Sequence, residues 1–339
     1  MNGIQTLTVR SNLVNYDLKL NRRVTIIRGD SGTGKTTLIG TLERARRGER
    51  SGIKVTSKSP WLVVTGMYWE RAISDHPGYI LFIDEDEEFL ETSKFAGVVK
   101  RSDNYFVIIT RLELKMLPYG ISSIYEIKYS GKYTKIEQSS AYNIVSGMYW
   151  NESAFFSPSI VVTEDSGSGC IFFRDICTGS EKKIYSSRGN SNIVPLIRSL
   201  KLSNERILVC VDGAAYGHFI NELWDTISAD IKNVYFILAY ESFEELILKS
   251  EMFMQHSDLR DRIIHPENHI TLKQFSLENY FYDLLRDLTK NTLAKYRKDR
   301  LNKCYQKDCC IKKSTCEFCS YGNKRDIILG EYKDQLIFD

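Results

Sequence analysis

The residues best suited to chemistry are Gly29-Asp30-Ser31-Gly32-Thr33-Gly34-Lys35-Thr36. They match G-x-x-x-x-G-K-[ST] in full. The glycines let backbone N–H groups turn inward and cradle phosphate oxygens. A helix leaving the loop adds its positive N-terminal end. Lys35 is expected to reach the β- and γ-phosphates, and the Thr36 hydroxyl to bind Mg²⁺. Thr37 is grouped with the same nucleotide-contacting residues. The expected ligand is a nucleoside triphosphate, ATP with Mg²⁺.

Ile80-Leu81-Phe82-Ile83-Asp84-Glu85 is an apolar run ending in two acids. It resembles a Walker B motif. On that resemblance Asp84 holds Mg²⁺, directly or through water, and Glu85 orients the attacking water. The alternative is a solvated acidic loop over residues 84–88. Thr110 and Arg111 follow another strand-like run. In P-loop ATPases with an additional strand between the two motifs, that position often carries a polar sensor of the γ-phosphate. Arg111 is otherwise an ordinary surface arginine. The first segment resembles a minimal member of that group. It lacks an LSGGQ-like signature, which disfavours a full ABC-type ATPase. No convincing arginine finger occurs in cis. Arg44, Arg46, Arg47 and Arg50 are candidates to act across a subunit interface, which brings in a homo-oligomer or a partner protein.

A second set of acids sits at the ends of later strand-like runs. Ile160-Val161-Val162-Thr163 leads into Glu164-Asp165, and residues 207–211 lead into Asp212-Gly213-Ala214. Ser187-Arg188-Gly189 forms a turn between them, and Tyr240-Glu241 follows a fourth run. Over residues 157–250 this pattern resembles a Toprim domain, the metal-binding fold of topoisomerases, primases and the overcoming-lysogenization-defect nucleases. The resemblance implies catalytic roles for Glu164, Asp212 and Glu241. Carboxylates at the ends of adjacent parallel strands converge, and they repel one another until a divalent cation neutralises them. One or two Mg²⁺ ions there would drive phosphodiester cleavage. Two departures matter: Ala214 replaces the second acid of D-x-D, and Ser168 and Gly169 stand where another acid is expected. The alternative is a Toprim-like or generic Rossmann-like domain without catalysis.

The end of the chain is basic and cysteine-rich. Residues 290–313 carry Lys290, Lys295, Arg297, Lys298, Arg300, Lys303, Lys307, Lys312 and Lys313, opposed by Asp299 and Asp308. Such a run suits contact with the phosphate backbone of DNA or RNA; the bland reading is a solvated helix face. Cys304, Cys309, Cys316 and Cys319 offer four thiolates for a structural Zn²⁺, and Cys316-x-x-Cys319 has zinc half-site spacing. Free thiols are the alternative.

These residues need elements to position them. The chain has 339 residues, 42% hydrophobic and 26% charged, which suits two globular cores. Its net charge of +3 is too small to imply a nucleic-acid partner alone. No apolar run approaches the roughly 18–20 residues of a membrane span, and no signal peptide is evident, so a cytoplasmic location is expected. Cysteines there serve as thiols or metal ligands.

Strands are expected at residues 23–28, 61–65, 79–83, 105–110, 124–129 and 133–136, with helices at 35–47 and 87–100. A second series places strands at 160–163, 183–186, 206–211 and 234–238, and helices at 190–200 and 216–227. Alternating strands and helices predict an α/β protein with parallel sheets. The divisions are a P-loop NTPase domain at 1–140, a junction at 141–158, a Toprim-like domain at 159–280 and a basic, Cys-rich helical segment at 281–339. Together they resemble a reduced overcoming-lysogenization-defect nuclease, which implies an ATPase acting on nucleic acid in a phage-defence setting. The rival is an ATP switch whose second domain binds a partner without cleaving. A small-molecule kinase fits less well, because Glu85 suits water activation and no acceptor pocket is evident.

Overall fold

Two short segments that alternate apolar and polar residues, QTLTVR and NYDLKL, open the chain. They form an antiparallel hairpin of β1 (Gln5–Arg10) and β2 (Asn15–Leu20). β4 (Lys54–Ser57) pairs antiparallel with β1 on its other side. The period of two buries Leu7, Val9, Tyr16 and Leu18 on one face. This three-stranded sheet lies outside the strands expected from sequence. The computed structural model describes residues 3–12, 14–29, 34–48, 52–130, 133–138, 156–271, 273–306, 328–330 and 335–338. It divides into two units: Met1–Tyr142 with Glu267–Ser276, and Asn143–Pro266 with Leu277–Asp339.

The β-branched and aromatic runs of the first unit form a six-stranded sheet. Its strands are β3 (Val24–Arg28), β5 (Trp61–Val63), β6 (Ile80–Asp84), β7 (Tyr105–Ile109), β8 (Ile124–Ser130) and β9 (Tyr133–Gln138). The order is β5-β6-β7-β3-β8-β9, parallel except for β9. All of β7 is buried, as a strand covered on both faces must be. Val107 and Ile109 share a core with Leu7, Leu18 and with Leu38 and Leu42 of α1 (Lys35–Arg46). The other face carries an aromatic stack: Trp69 of α2 (Trp69–Ser74) lies 4.7 Å from Phe89, and Phe95 of α3 (Ser93–Arg101) meets Phe106 edge-on at 6.2 Å.

The helix expected at 87–100 is broken. A 3₁₀ turn at Glu88–Glu91 precedes α3, and Thr92 caps α3 by accepting the Phe95 N–H at 3.1 Å. The excursion at residues 267–276 adds Phe275, whose ring lies 5.3 Å beneath the Arg23 guanidinium.

The second unit is built on β10 (Ile160–Thr163), β11 (Lys183–Ser186), β12 (Arg206–Asp212) and β13 (Val234–Tyr240). All four are parallel, in the order β11-β10-β12-β13. Around them run α4 (Ser168–Ile176), α5 (Ile193–Leu200), α6 (Ile220–Ala229), α7 (Phe243–Leu248), α8 (Glu251–Met254), α9 (Ser257–Ile264) and α10 (Leu277–Thr289). The protein is therefore a mixed α/β molecule with parallel sheets in both units.

The C-terminal segment departs from expectation. It belongs to the second unit, and its described basic stretch is not helical beyond α10, apart from a 3₁₀ turn at Lys303–Tyr305. The reason is local: Thr289 Oγ1 accepts the Tyr296 N–H at 2.9 Å, turning the chain back so that Ala294 and Tyr296 are buried. No helix among the described residues is long and apolar enough to cross a membrane.

Candidate functional site

Two groups of sequence-predicted residues come together, one in each unit. In the first unit β7 lies between β3 and β6, with Ile109 in register with both Ile27 and Asp84. The three strands therefore end side by side. Past β3 comes the glycine loop, of which Gly29 and Gly34 are described; Asp30, Ser31, Gly32 and Thr33 lie outside the described residues. Gly34 adopts φ +102°, a left-handed conformation that glycine takes without strain, and leads into α1. Lys35 is buried, and its ammonium donates to the Gly29 carbonyl. Thr36 and Thr37 are exposed in the first turn of α1.

Asp84 ends β6 half-buried, and its Oδ1 accepts the Glu85 N–H at 2.8 Å. Burial pushes its carboxyl up, as do the neighbouring charges of Asp86 and Glu85, while the positive charge of Lys35 opposes the rise. Glu85 is held by Arg111. The Arg111 backbone N–H donates to Oε2 at 3.0 Å, and its Nη2 to Oε1 at 3.2 Å. Thr110 is fully buried, with its N–H on the Ile27 carbonyl at 3.0 Å. Its Oγ1 accepts the Leu112 N–H at 2.9 Å. Arg44, Arg46 and Arg47 lie exposed on α1 and just past it, and Arg50 is outside the described residues.

In the second unit β10 and β12 are adjacent, with Thr163 opposite Cys210. Glu164 and Asp212 therefore emerge together, and Glu164 Oε2 accepts the Asp212 N–H at 3.2 Å. They line a pocket with Asp165, Glu244, Tyr296 and Lys298. Glu241 is not part of this lining. Its N–H donates to Glu245 Oε2 at 2.8 Å, Ser242 Oγ accepts the Glu245 N–H at 3.2 Å, and Glu244 from the first turn of α7 faces the pocket instead.

The absent acids also have a physical explanation. Ser168 and Gly169 begin α4, and Asp165 caps that helix, accepting the Gly169 N–H at 3.1 Å and the Cys170 N–H at 2.9 Å. Ala214 is buried at the turn after β12. Burial raises the carboxyls of Glu164, Asp165, Asp212 and Glu244; that of Glu164 reaches about 7.

The oxygen-rich donor set has the chemistry for a hard divalent cation. As the side chains stand, with Lys298 among them, no three His, Cys, Asp or Glu of the described residues are placed to hold a metal ion. Glu164 accepts the Asp212 N–H, and Asp165 accepts the Gly169 and Cys170 N–H groups. The Tyr296 hydroxyl donates to Glu244 Oε1 at 2.9 Å, and the Lys298 ammonium pairs with Glu278. Glu244, Glu278, Tyr296 and Lys298 were not legible as site residues. Their partners lie far away in sequence, and only the basic run around Lys298 marked its segment.

Cys304 is buried, with Sγ 3.7 Å from the Leu293 carbonyl. Cys309, Cys316 and Cys319 lie outside the described residues. Of the described basic run, Lys290 pairs with Asp287 at 3.6 Å, Arg297 with Asp299 at 2.7 Å and Lys298 with Glu278. Lys295, Arg300 and Lys303 are exposed.

Comparison with known proteins returns no family model that matches this chain and no curated protein similar to it.

Proposed function

We propose that the first unit binds ATP with Mg²⁺ and hydrolyses it, and that the second unit converts nucleotide state into binding of a partner or of nucleic acid. One observation carries the nucleotide reading. β7 separates the strand that enters the glycine loop from the strand that ends in Asp84, so Lys35, Asp84, Glu85 and Thr110 lie on one edge of a parallel sheet. This is the order expected of a P-loop ATPase with an additional strand. Lys35 would meet the β- and γ-phosphates, and Glu85 would orient water. Thr36 and Asp84 would hold the Mg²⁺, which supplies charge neutralisation on the phosphates when bound. The test is ATP binding and phosphate release by wild type and Lys35→Ala. Turnover lost in Lys35→Ala supports the reading; no ATP binding by wild type, or equal turnover by both proteins, overturns it.

Metal-dependent cleavage of nucleic acid is a second reading, favoured by the convergence of Glu164, Asp212 and Glu244 on one pocket. The non-cleaving switch is better supported, because Glu164 and Glu244 are engaged by protein donors and two acids of the Toprim-like pattern are absent. Plasmid and single-stranded DNA incubated with Mn²⁺ or Mg²⁺, with and without ATP, separate the two. Cleavage that disappears in Asp212→Ala establishes the nuclease.

A further inference from the structure

We propose that Lys298 is the resident cation of the acidic pocket in the second unit, standing where a divalent metal would otherwise be required. The inference concerns that pocket alone, so failure of the nucleotide reading leaves it intact. Glu164, Asp165, Asp212 and Glu244 line the pocket, and Glu278 reaches toward it through its ion pair with Lys298. Acids that share a site raise one another's pKa values, and positive charge nearby opposes that rise. Among the described residues lining the pocket, Lys298 is the cation. It lines the pocket with all four of these carboxyls and pairs with Glu278.

The backbone around Lys298 is built to keep it there. The Lys298 carbonyl accepts the Ser168 N–H at 2.9 Å, and the Arg297 carbonyl accepts Ser168 Oγ at 2.6 Å. Two residues earlier, Tyr296 is anchored at both ends, by its N–H on Thr289 Oγ1 and its hydroxyl on Glu244. Gly167 permits the close approach: a Cβ there would lie 2.2 Å from the Lys298 carbonyl oxygen. A lysine on a loosely draped basic tail would have none of these fixtures. At this position the charge that reads as phosphate-seeking in sequence is half-exposed, lines the pocket and is paired with Glu278.

The experiment uses the full chain without nucleotide, as wild type, Lys298→Met, Lys298→Arg and the double variant Lys298→Met/Asp212→Asn. Mn²⁺ binding is followed by electron paramagnetic resonance and the unfolding midpoint by thermal denaturation. Without metal, Lys298→Met is expected to melt below wild type and Lys298→Arg close to it. Lys298→Met is expected to bind Mn²⁺ at least about tenfold more tightly than wild type and to regain stability with it, because removing one ammonium leaves the carboxylates uncompensated. The double variant should lose that gain. If Lys298→Met does not fold alone, Mn²⁺-dependent recovery of its circular dichroism supports the proposal and absence of recovery overturns it. Equal Mn²⁺ affinity in wild type and Lys298→Met, lost in the double variant, overturns it while leaving the metal reading standing. No Mn²⁺ binding together with unchanged stability of Lys298→Met overturns it as well.

Discussion

Both units carry acids where parallel strands end, yet the two sets of acids are in different situations. In the first unit Asp84 stands at the edge of the sheet beside a glycine loop, and the neighbouring cation, Lys35, comes from that loop. In the second unit Glu164, Asp212 and Glu244 face a pocket whose cation, Lys298, comes from more than a hundred residues downstream of Glu164. In the first unit Lys35 is buried and donates to the Gly29 carbonyl of its own loop. In the acidic pocket the Tyr296 hydroxyl is committed to Glu244, and Lys298 to Glu278. Strand-end carboxylates therefore mark a place for charge without deciding whether a ligand or the chain itself supplies the opposite sign.

Four measurements press on this contrast. The largest effect is expected from Glu85→Gln. It keeps the shape of Glu85 but removes its charge, so ATP binding should persist while hydrolysis falls about 100-fold or more. Equal losses of binding and turnover would remove Glu85 from the water-orienting role.

Gly167→Ala comes next. Its Cβ would meet the Lys298 carbonyl oxygen at 2.2 Å, so backbone must shift. A cost of about 1–3 kcal/mol is expected from such overpacking, read as a lower unfolding midpoint. An unchanged midpoint would mean that residues 296–298 are not held against Gly167.

The pH dependence of stability should be gentler. Burial raises Glu164 from 4.5 to about 7, in a pocket it shares with Asp165, Asp212, Glu244, Tyr296 and Lys298. The folded state then holds a proton that the unfolded chain has released. Its contribution is fully present below about 4.5 and is lost as pH rises through about 7. Thermal midpoints measured across that window should show a downward component in wild type that is missing in Glu164→Gln.

The smallest effect belongs to Arg111→Ala. The Arg111–Glu85 pair has a side chain 59% exposed on the arginine side, and the backbone N–H of residue 111 still holds Glu85. Stability should change by less than about 0.5 kcal/mol, as for other exposed pairs. A loss of several degrees in midpoint would show that the guanidinium is structural.

The strand runs of the α/β pattern and the helix that follows the glycine run were legible because their signals are local. RVTIIR, YILFI and YFVIIT are too apolar for a half-exposed position, and all lie in the sheet. The small antiparallel sheet also has a local signal: QTLTVR and NYDLKL alternate with period two. The acid pocket was only half legible. Glu164 and Asp212 follow apolar strands, but Glu244 differs from Glu241 only by the turn into α7, which the Ser242 cap sets. Lys298 could not be found by spacing, since its place depends on Thr289 turning the chain back after α10.

The excursion at residues 267–276 has a consequence for synthesis. The chain passes between units at 142–143, returns at 266–267 and leaves again at 276–277. Phe275, beneath Arg23, emerges from the ribosome only after the four parallel strands of the second unit have been made. The N-terminal unit thus completes its own structure late, and a chain cut after residue 142 lacks a piece of the unit that such a cut was meant to isolate. Protease nicking of the folded protein, with the fragments kept together, is the more faithful way to separate what the two halves do.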